Sequence, residues 1–338
     1  MNAEALKLTV YHGERDRVGR VFLTEALTEI YARHGLRAGV VMRGAAGFGI
    51  KHRLRTDRLL TLSEDLPVVS VAVDERARIE ATLRDVEALR FDGLVTLERA
   101  RLVSGPAPLP ADAKLTVYLG RGGRVYERVV GVLHRHGVAG ASVLLGVDGT
   151  MRGARRRARL LSSNAGVPLM VVSVGAGDRL AAALGELSSR LPDPVMTVER
   201  VRICKRDGRR LAEPEALAGT DEHGLALWQL LSVYGGPRDH AGLVRALRAE
   251  RAAGATSLRG IWGYHGDHEP HGDVLWQLRR RVPCLTVMVD EPAAVRRLYP
   301  IVDRFTERGG LVTTEVVPAF RATGPGLVSG GLRLARPR

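Results

Sequence analysis

The residues best placed to do chemistry lie in three loops that share one spacing. Arg43-Gly44-x-x-Gly47-Phe48 recurs as Arg259-Gly260-x-x-Gly263-Tyr264. A third copy, Leu145-Gly146-x-x-Gly149-Thr150, keeps the glycines and loses the arginine and the ring. Glycine lets backbone N–H groups close on an anion, and Gly49, Lys51, Arg53, Arg55 and Arg58 follow the first copy. The candidate ligand-binding set is therefore Arg43, Gly44, Gly47, Phe48, Gly49, Lys51, Gly146, Gly149, Arg259, Gly260, Gly263 and Tyr264, with a small anion as ligand. A turn carrying solvated arginines is the alternative reading of the same spacing. The third loop also gathers His265, His268 and His271 with Asp267, Glu269 and Asp273. Such groups could bind zinc or copper. Their i, i+3, i+6 spacing in a Gly/Pro loop is not a standard ligand pattern, so a solvated polar loop stands beside the metal reading. There is no Gly-x-Ser-x-Gly elbow, P-loop, His-Glu-x-x-His or dinucleotide fingerprint. No catalytic residue is assigned and no enzyme is expected. One further polar pair recurs: Thr96-x-Glu98, Thr197-x-Glu199 and Thr313-x-Glu315. It reads as cross-strand pairing or as a ligand-facing pair.

Composition narrows the class. The chain has 338 residues, 45% of them hydrophobic, enough for two or three cores. Its net charge of +14 permits a polyanionic partner, and the basic residues are almost all arginine, which suits bidentate capture of phosphate or carboxylate. Aromatic residues make up only 4%, with no aromatic ribonucleoprotein signature, which disfavours nucleic acid. No apolar run approaches the roughly 18 residues of a membrane span, and the N-terminus lacks a basic start and an apolar stretch. The two cysteines, Cys204 and Cys284, suggest neither a disulfide framework nor a zinc site. Together these point to a cytoplasmic protein.

The elements that must position the loops repeat as well. Lys7-Leu8-Thr9-Val10-Tyr11 returns as Lys114-Leu115-Thr116-Val117-Tyr118 and weakly as Leu230-Leu231-Ser232-Val233-Tyr234. Pro67, Pro168 and Pro283 each stand before a β-branched run. A period of roughly a hundred residues suits a small domain. Three copies are expected: residues 6–103, 113–204 and 225–320. A proline-rich linker at 104–112 and a charged connector at 205–224, with a short helix near Glu213 to Ala218, join them. A loose basic tail at 321–338 follows. Within the first copy, period 2 and period 3.6 alternate. Leu6 to Val10 reads as a strand, Val18 to Arg33 as a helix ending at Gly35, and Gly39 to Met42 and Val68 to Val73 as strands. Ile79 to Leu89 reads as a helix and Leu94 to Leu102 as a strand. The order is β-α-β-β-α-β, the ferredoxin-like motif, giving an α+β fold class. Such domains often form symmetric oligomers, so three fused copies would act as a monomeric, intramolecular pseudo-trimer.

These residues resemble a known family. Lys-Leu-Thr-Val-Tyr-x-Gly, Arg-Gly-x-x-Gly-Phe-Gly, Leu-Ser-Glu-Asp-Leu-Pro-Val-Val and Gly-Leu-Val-Thr-Leu-Glu are similar to the PII-like family called domain of unknown function 190. The likeness is close over 7–103, recognisable over 114–203, and degraded but in register over 229–317. The family looks like a relative of the PII nitrogen-signalling and CutA divalent-cation-tolerance proteins. It implies ferredoxin-like domains around a three-fold axis, an adenine nucleotide in clefts between subunits, and a loop that signals to a membrane transporter or other protein target. Carried over, Gly44, Gly47, Phe48 and Gly49 would sit near such a cleft with Arg43 close by. The CutA side of the likeness implies a divalent metal, for which His265, His268 and His271 are the candidates. A scaffold that has lost its ligand is the third alternative. Repeat 2 departs at the arginine and ring, and repeat 3 has His265 where repeat 1 has Gly49.

Overall fold

The computed structural model describes residues 3–49, 53–56, 65–159, 164–266, 269–272 and 283–336. Across them one order of elements runs three times. Repeat 1 has a first strand Ala3–Gly13, helix α1 (Leu23–Arg33), a second strand Ala38–Arg43, a third strand Pro67–Glu75, helix α2 (Arg76–Ala88) and a fourth strand Gly93–Leu102. Repeat 2 has Asp112–Gly120, α3 (Val125–Arg135), Gly140–Leu145, Pro168–Ala176, α4 (Gly177–Arg190) and Val195–Arg200. Repeat 3 has Trp228–Gly235, α5 (Pro237–Ala249), Ala255–His265, Cys284–Asp290, α6 (Pro292–Phe305) and Leu311–Val317. In every repeat the first strand lies between the fourth and the third, and the second lies outside the third, all antiparallel.

Strand alternation divides each first strand between two interiors. In repeat 1, Leu6, Leu8 and Val10 face the helices and pack with Leu27, Ile30, Ile79 and Val86. The apolar stripes of α1 and α2 supply that layer. Lys7, Thr9 and Tyr11 alternate with these residues. Their face is covered by the other two repeats: one core joins Met42, Val69 and Val71 to Leu144, Met170 and Val172 and to Leu258, Leu285 and Leu311. Strands buried on both faces read as nearly continuous apolar runs, as they do here.

The repeats are laced together at both edges of their sheets. After its second strand each repeat sends backbone onto the second strand of another. Ala46–Phe48 pairs with repeat 3, Asp148–Met151 with repeat 1, and the distal half of Ala255–His265 with repeat 2. At the other edge Arg101 and Leu102 pair with the fourth strand of repeat 2, Arg202–Arg206 with that of repeat 3, and Ala319–Gly324 with that of repeat 1. Each set of pairings visits all three repeats and returns to its start.

Three expectations are corrected. The tail is not loose throughout: Ala319–Gly324 and Leu327–Gly331 form a hairpin, because Ala319, Phe320 and Ala322 find an edge strand of repeat 1 to bury against. Phe320 also packs on Trp228 at 4.1 Å between ring centroids. The connector has no helix near Glu213 to Ala218. Instead its first two residues end the strand Arg202–Arg206, which belongs to the interlock. Helix α1 starts at Leu23 rather than Val18, since Arg17–Val18 pairs with Val21–Phe22 around Gly19, whose φ is +60°.

Candidate functional site

The cleft at the base of the repeat 1 loop is a polar concavity shared with repeat 3. Its volume is about 190 Å³. Its apolar floor comes from Phe48 and Leu94 of repeat 1 and Ala255, Val287 and Val289 of repeat 3. The polar wall is His12, Asp16, Arg53, Arg55, Asp65 and Asp92, with Thr256 and Thr323. Phe48 is placed here by the cross-repeat pairing, in which it stands opposite Ala255.

Hydrogen bonds fix the wall. His12 is buried, with Nδ1 2.9 Å from the Gly13 carbonyl and Nε2 3.3 Å from Ser70 Oγ. A carbonyl only accepts, so Nδ1 carries the hydrogen and Nε2 accepts from the serine hydroxyl. Burial lowers the His12 pKa below its ordinary value, outweighing the Gly13 bond, so the ring is neutral. Arg55 donates to Asp65 at 2.8 Å and lies 3.8 Å from Asp16. The Gly13 N–H donates to Asp16 at 2.6 Å and the Arg15 N–H to Asp65 at 2.9 Å. Arg53 is exposed at the mouth. The wall thus sets three aspartates against two arginines and is not purely basic.

The residues singled out from the sequence divide among different roles. Phe48 and Gly49 line the cleft. Arg43 does not: it ends its strand half exposed and pairs with Glu14. Gly44 and Gly146 stand just after the second strand and Gly260 where that strand of repeat 3 changes partner, each donating its N–H to the carbonyl of Pro67, Pro168 or Pro283. A Cβ on Gly146 would lie 2.3 Å from the Pro168 oxygen. Gly47, Gly149 and Gly263 allow the cross-repeat pairing. A Cβ there would lie 2.9 Å from Ala255 O, 2.2 Å from Gly39 O and 2.1 Å from Ala141 O respectively. The recurrent glycines are therefore spent on backbone approaching backbone. Arg259 is exposed, and Tyr264 is 2% exposed in the repeat 2 core, edge-on to His134. Thr150, equivalent to Phe48, is fully buried. Lys51 lies outside the described residues.

The histidine loop is divided as well. His265 lines a separate cavity of about 140 Å³ with His240 and Arg308. His271 stands opposite Gly263 and its Nδ1 meets the Glu269 carbonyl at 3.0 Å. His268 lies outside the described residues. Among the described residues, Glu98, Glu199 and Glu315 form the one group of three His, Cys, Asp or Glu whose ligand atoms lie within 4.8 Å of one another.

That group is the second chemically loaded place, and it sits where the three inward sheet faces meet. Glu98, Glu199 and Glu315 are 2%, 2% and 6% exposed. Lys7 bridges Glu98 and Glu199, the latter at 2.5 Å. Lys114 bridges Glu199 at 2.9 Å and Glu315 at 2.5 Å. Thr9 and Thr96 donate to Glu98 at 3.1 and 2.6 Å. Burial raises the Glu199 pKa, but Lys114 and Lys7 outweigh it and hold the carboxyl down at about 2. Burial lowers the Lys7 pKa, yet Glu199, Glu98 and Glu315 raise it well above its usual value. Two ammonium groups among the carboxylates make this a salt-bridge network rather than a metal cage. The sequence carried its signal in the two recurring motifs: Lys at the head of the first strand and Glu at the end of Thr-x-Glu.

Comparison with known proteins agrees on the repeats. The family model DUF190, described as an uncharacterised ACR, matches residues 5–102, 113–203 and 229–319. A UPF0166 protein of Aquifex aeolicus (strain VF5) is 31% identical over 68 residues, which are 20% of this chain and 71% of that protein. A crystal structure of aspartate kinase from Synechocystis aligns with 96% of this chain at 12% identity and a TM-score of 0.26, a likeness too low to carry an argument. The chain spans 46% of that kinase's length. No helix of the described residues is long and apolar enough to cross a membrane.

Proposed function

The chain belongs to the DUF190 family in three tandem copies, and from that premise we propose that it is a PII-like, non-enzymatic ligand-binding protein that works in the cytoplasm. In this reading each repeat is a ferredoxin-like domain, and the chain is a monomeric pseudo-trimer. Supporting it are the β-α-β-β-α-β order, the shared strand order and the edge pairings that return to their start. The ligand is a small anionic molecule, an adenine nucleotide being the first candidate, and its site is the cleft between repeats 1 and 3. The single observation that carries the site is the open cavity at the base of the repeat 1 loop, with an apolar floor and Arg53 at its mouth. At about 190 Å³ it is smaller than the roughly 300 Å³ of a drug-sized site. It would therefore take a ring-sized group beside Phe48, leaving the anionic part over Arg53 at the loop. A ligand seated there would order the repeat 1 loop for a protein partner.

Titration calorimetry with a panel of adenine nucleotides tests this. Binding to the wild-type chain, weakened about tenfold or more by Arg53→Ala, is the expected result. Absence of heat with every nucleotide would remove the nucleotide reading. Binding unaffected by both Arg53→Ala and Phe48→Ala would place the ligand elsewhere.

A further inference from the structure

The axial network has a missing member. In repeat 1, Lys7 stands directly across from Glu98, and in repeat 2, Lys114 stands across from Glu199. In repeat 3 the residue across from Glu315 is Leu230. Each lysine bridges its own repeat's glutamate to that of the next repeat, so the bridges run Glu98, Lys7, Glu199, Lys114, Glu315 and stop. The link that would return from Glu315 to Glu98 is absent because leucine has no ammonium. Three carboxylates share two ammonium groups, all deeply buried. Beside the gap a cavity of about 60 Å³ is lined by Leu230, Ser232, Glu98 and both lysines.

We propose that this cluster is a buried proton-binding site, in which Glu315 takes one proton from solvent where repeats 1 and 2 hold a lysine ammonium. An unbalanced carboxylate in such a place has no cheap ionised state: desolvation costs several kcal/mol per buried ion unless a partner offsets it. The internal comparison supplies the physical reason for assigning the proton to this member. Glu199 has two ammonium partners, and Glu98 has one together with the Thr9 and Thr96 hydroxyls. Glu315 has one, with the equivalent Thr313 hydroxyl making no hydrogen bond among the described residues. Burial pushes the Glu315 pKa up to about 7, with Glu199 and Glu98 adding to the rise and Lys114 and Lys7 opposing it. Those four groups and the phenols of Tyr11 and Tyr234 are the ones that face it. On the strand paired to its other side, Lys205 is engaged with Asp303 at 2.7 Å. Only an O–H bond forms or breaks, and the proton returns to solvent when Glu315 ionises. The site joins strands of all three repeats, so proton release near neutral pH loosens their common core.

The sign follows from linkage. A carboxyl whose folded pKa is raised from 4.5 to about 7 binds its proton more tightly in the folded chain. Stability from this site is full below the unfolded value and is lost as pH rises through the folded one. Denaturant unfolding of the wild-type chain, Glu315→Gln and Leu230→Lys across this range at fixed ionic strength is the test. The wild-type unfolding constant should rise toward about tenfold per pH unit relative to Glu315→Gln between about pH 5 and 7. Leu230→Lys, which supplies the third ammonium, should remove the same slope. Should that variant fail to fold, wild-type protein labelled with ¹³C at glutamate Cδ decides, because one buried carboxyl must titrate near neutrality. Matching pH profiles for wild type and Glu315→Gln, or buried carboxyls that show no titration near neutrality, would overturn the proposal. So would stabilisation at fixed pH by potassium or ammonium ions that Glu315→Gln abolishes, since an ion rather than a proton would then fill the gap.

Discussion

Glu199 is the residue on which the interior turns, because both Lys7 and Lys114 reach its carboxylate. Removing one partner of a buried ion pair strands the others without solvent, a loss of about 3–5 kcal/mol. Glu199→Ala is expected to lower unfolding free energy by that amount, measured by denaturant titration at neutral pH. Its pH dependence has the opposite sign to that of Glu315. With its folded pKa held at about 2, well below 4.5, the stability from Glu199 is present above the unfolded value and lost as pH falls toward the folded one. Recurrence made Thr-x-Glu visible in the sequence, yet a strand-edge pair and an axial pair have identical spacing. What separates them is the presence of two other sheets, and that is a property of the assembly. The same limit applies to His12 and Asp16, which have no counterpart spacing to draw attention to them.

At the scale of elements, the glycine loops are extensions that bind one repeat to another. Gly149, at φ +156°, pairs opposite Val40 of repeat 1. A side chain there meets backbone oxygen at 2.2 Å and adopts a backbone conformation that L residues avoid. Gly149→Ala should therefore cost about 1–3 kcal/mol. Gly49→Ala, where nothing lies within 4 Å of the added carbon, should stay within about 0.5 kcal/mol. Thermal unfolding of the two variants side by side checks this contrast. Equal losses would mean that the loop pairing does not hold the repeats together. The periodic elements were legible: α2 and the four strands of repeat 1 fall within a few residues of their expected places. The extensions were not legible as strands, because Ala46–Phe48 and Asp148–Met151 are short and their partners lie in another repeat. Gly-x-x-Gly therefore read as an anion cradle when its first demand is steric.

At the scale of the whole molecule, fusion has let three once-equivalent places diverge. Phe48 packs in the core of repeat 3 and lines the cleft, Thr150 is sealed, and Tyr264 is built into the core of repeat 2. Repeat 3 has Leu230 where repeats 1 and 2 have Lys7 and Lys114, and its loop carries His265, His268 and His271. The end of the chain completes the lacing by covering the fourth strand of repeat 1 with Ala319–Gly324. Deleting residues 319–338 exposes that edge, and an uncovered strand edge recruits other chains. The truncated protein should elute as larger species in size-exclusion chromatography, whereas an unchanged profile would show that the edge needs no cover. Triplication was plain in the sequence, while closure was not, since the tail's composition gave no sign of a hairpin. The most direct test of the account is native mass spectrometry of the full chain with and without adenine nucleotide. It should show one chain per particle and a single bound nucleotide at saturation. An obligate three-chain particle, three nucleotides on one chain, or none at all would contradict it.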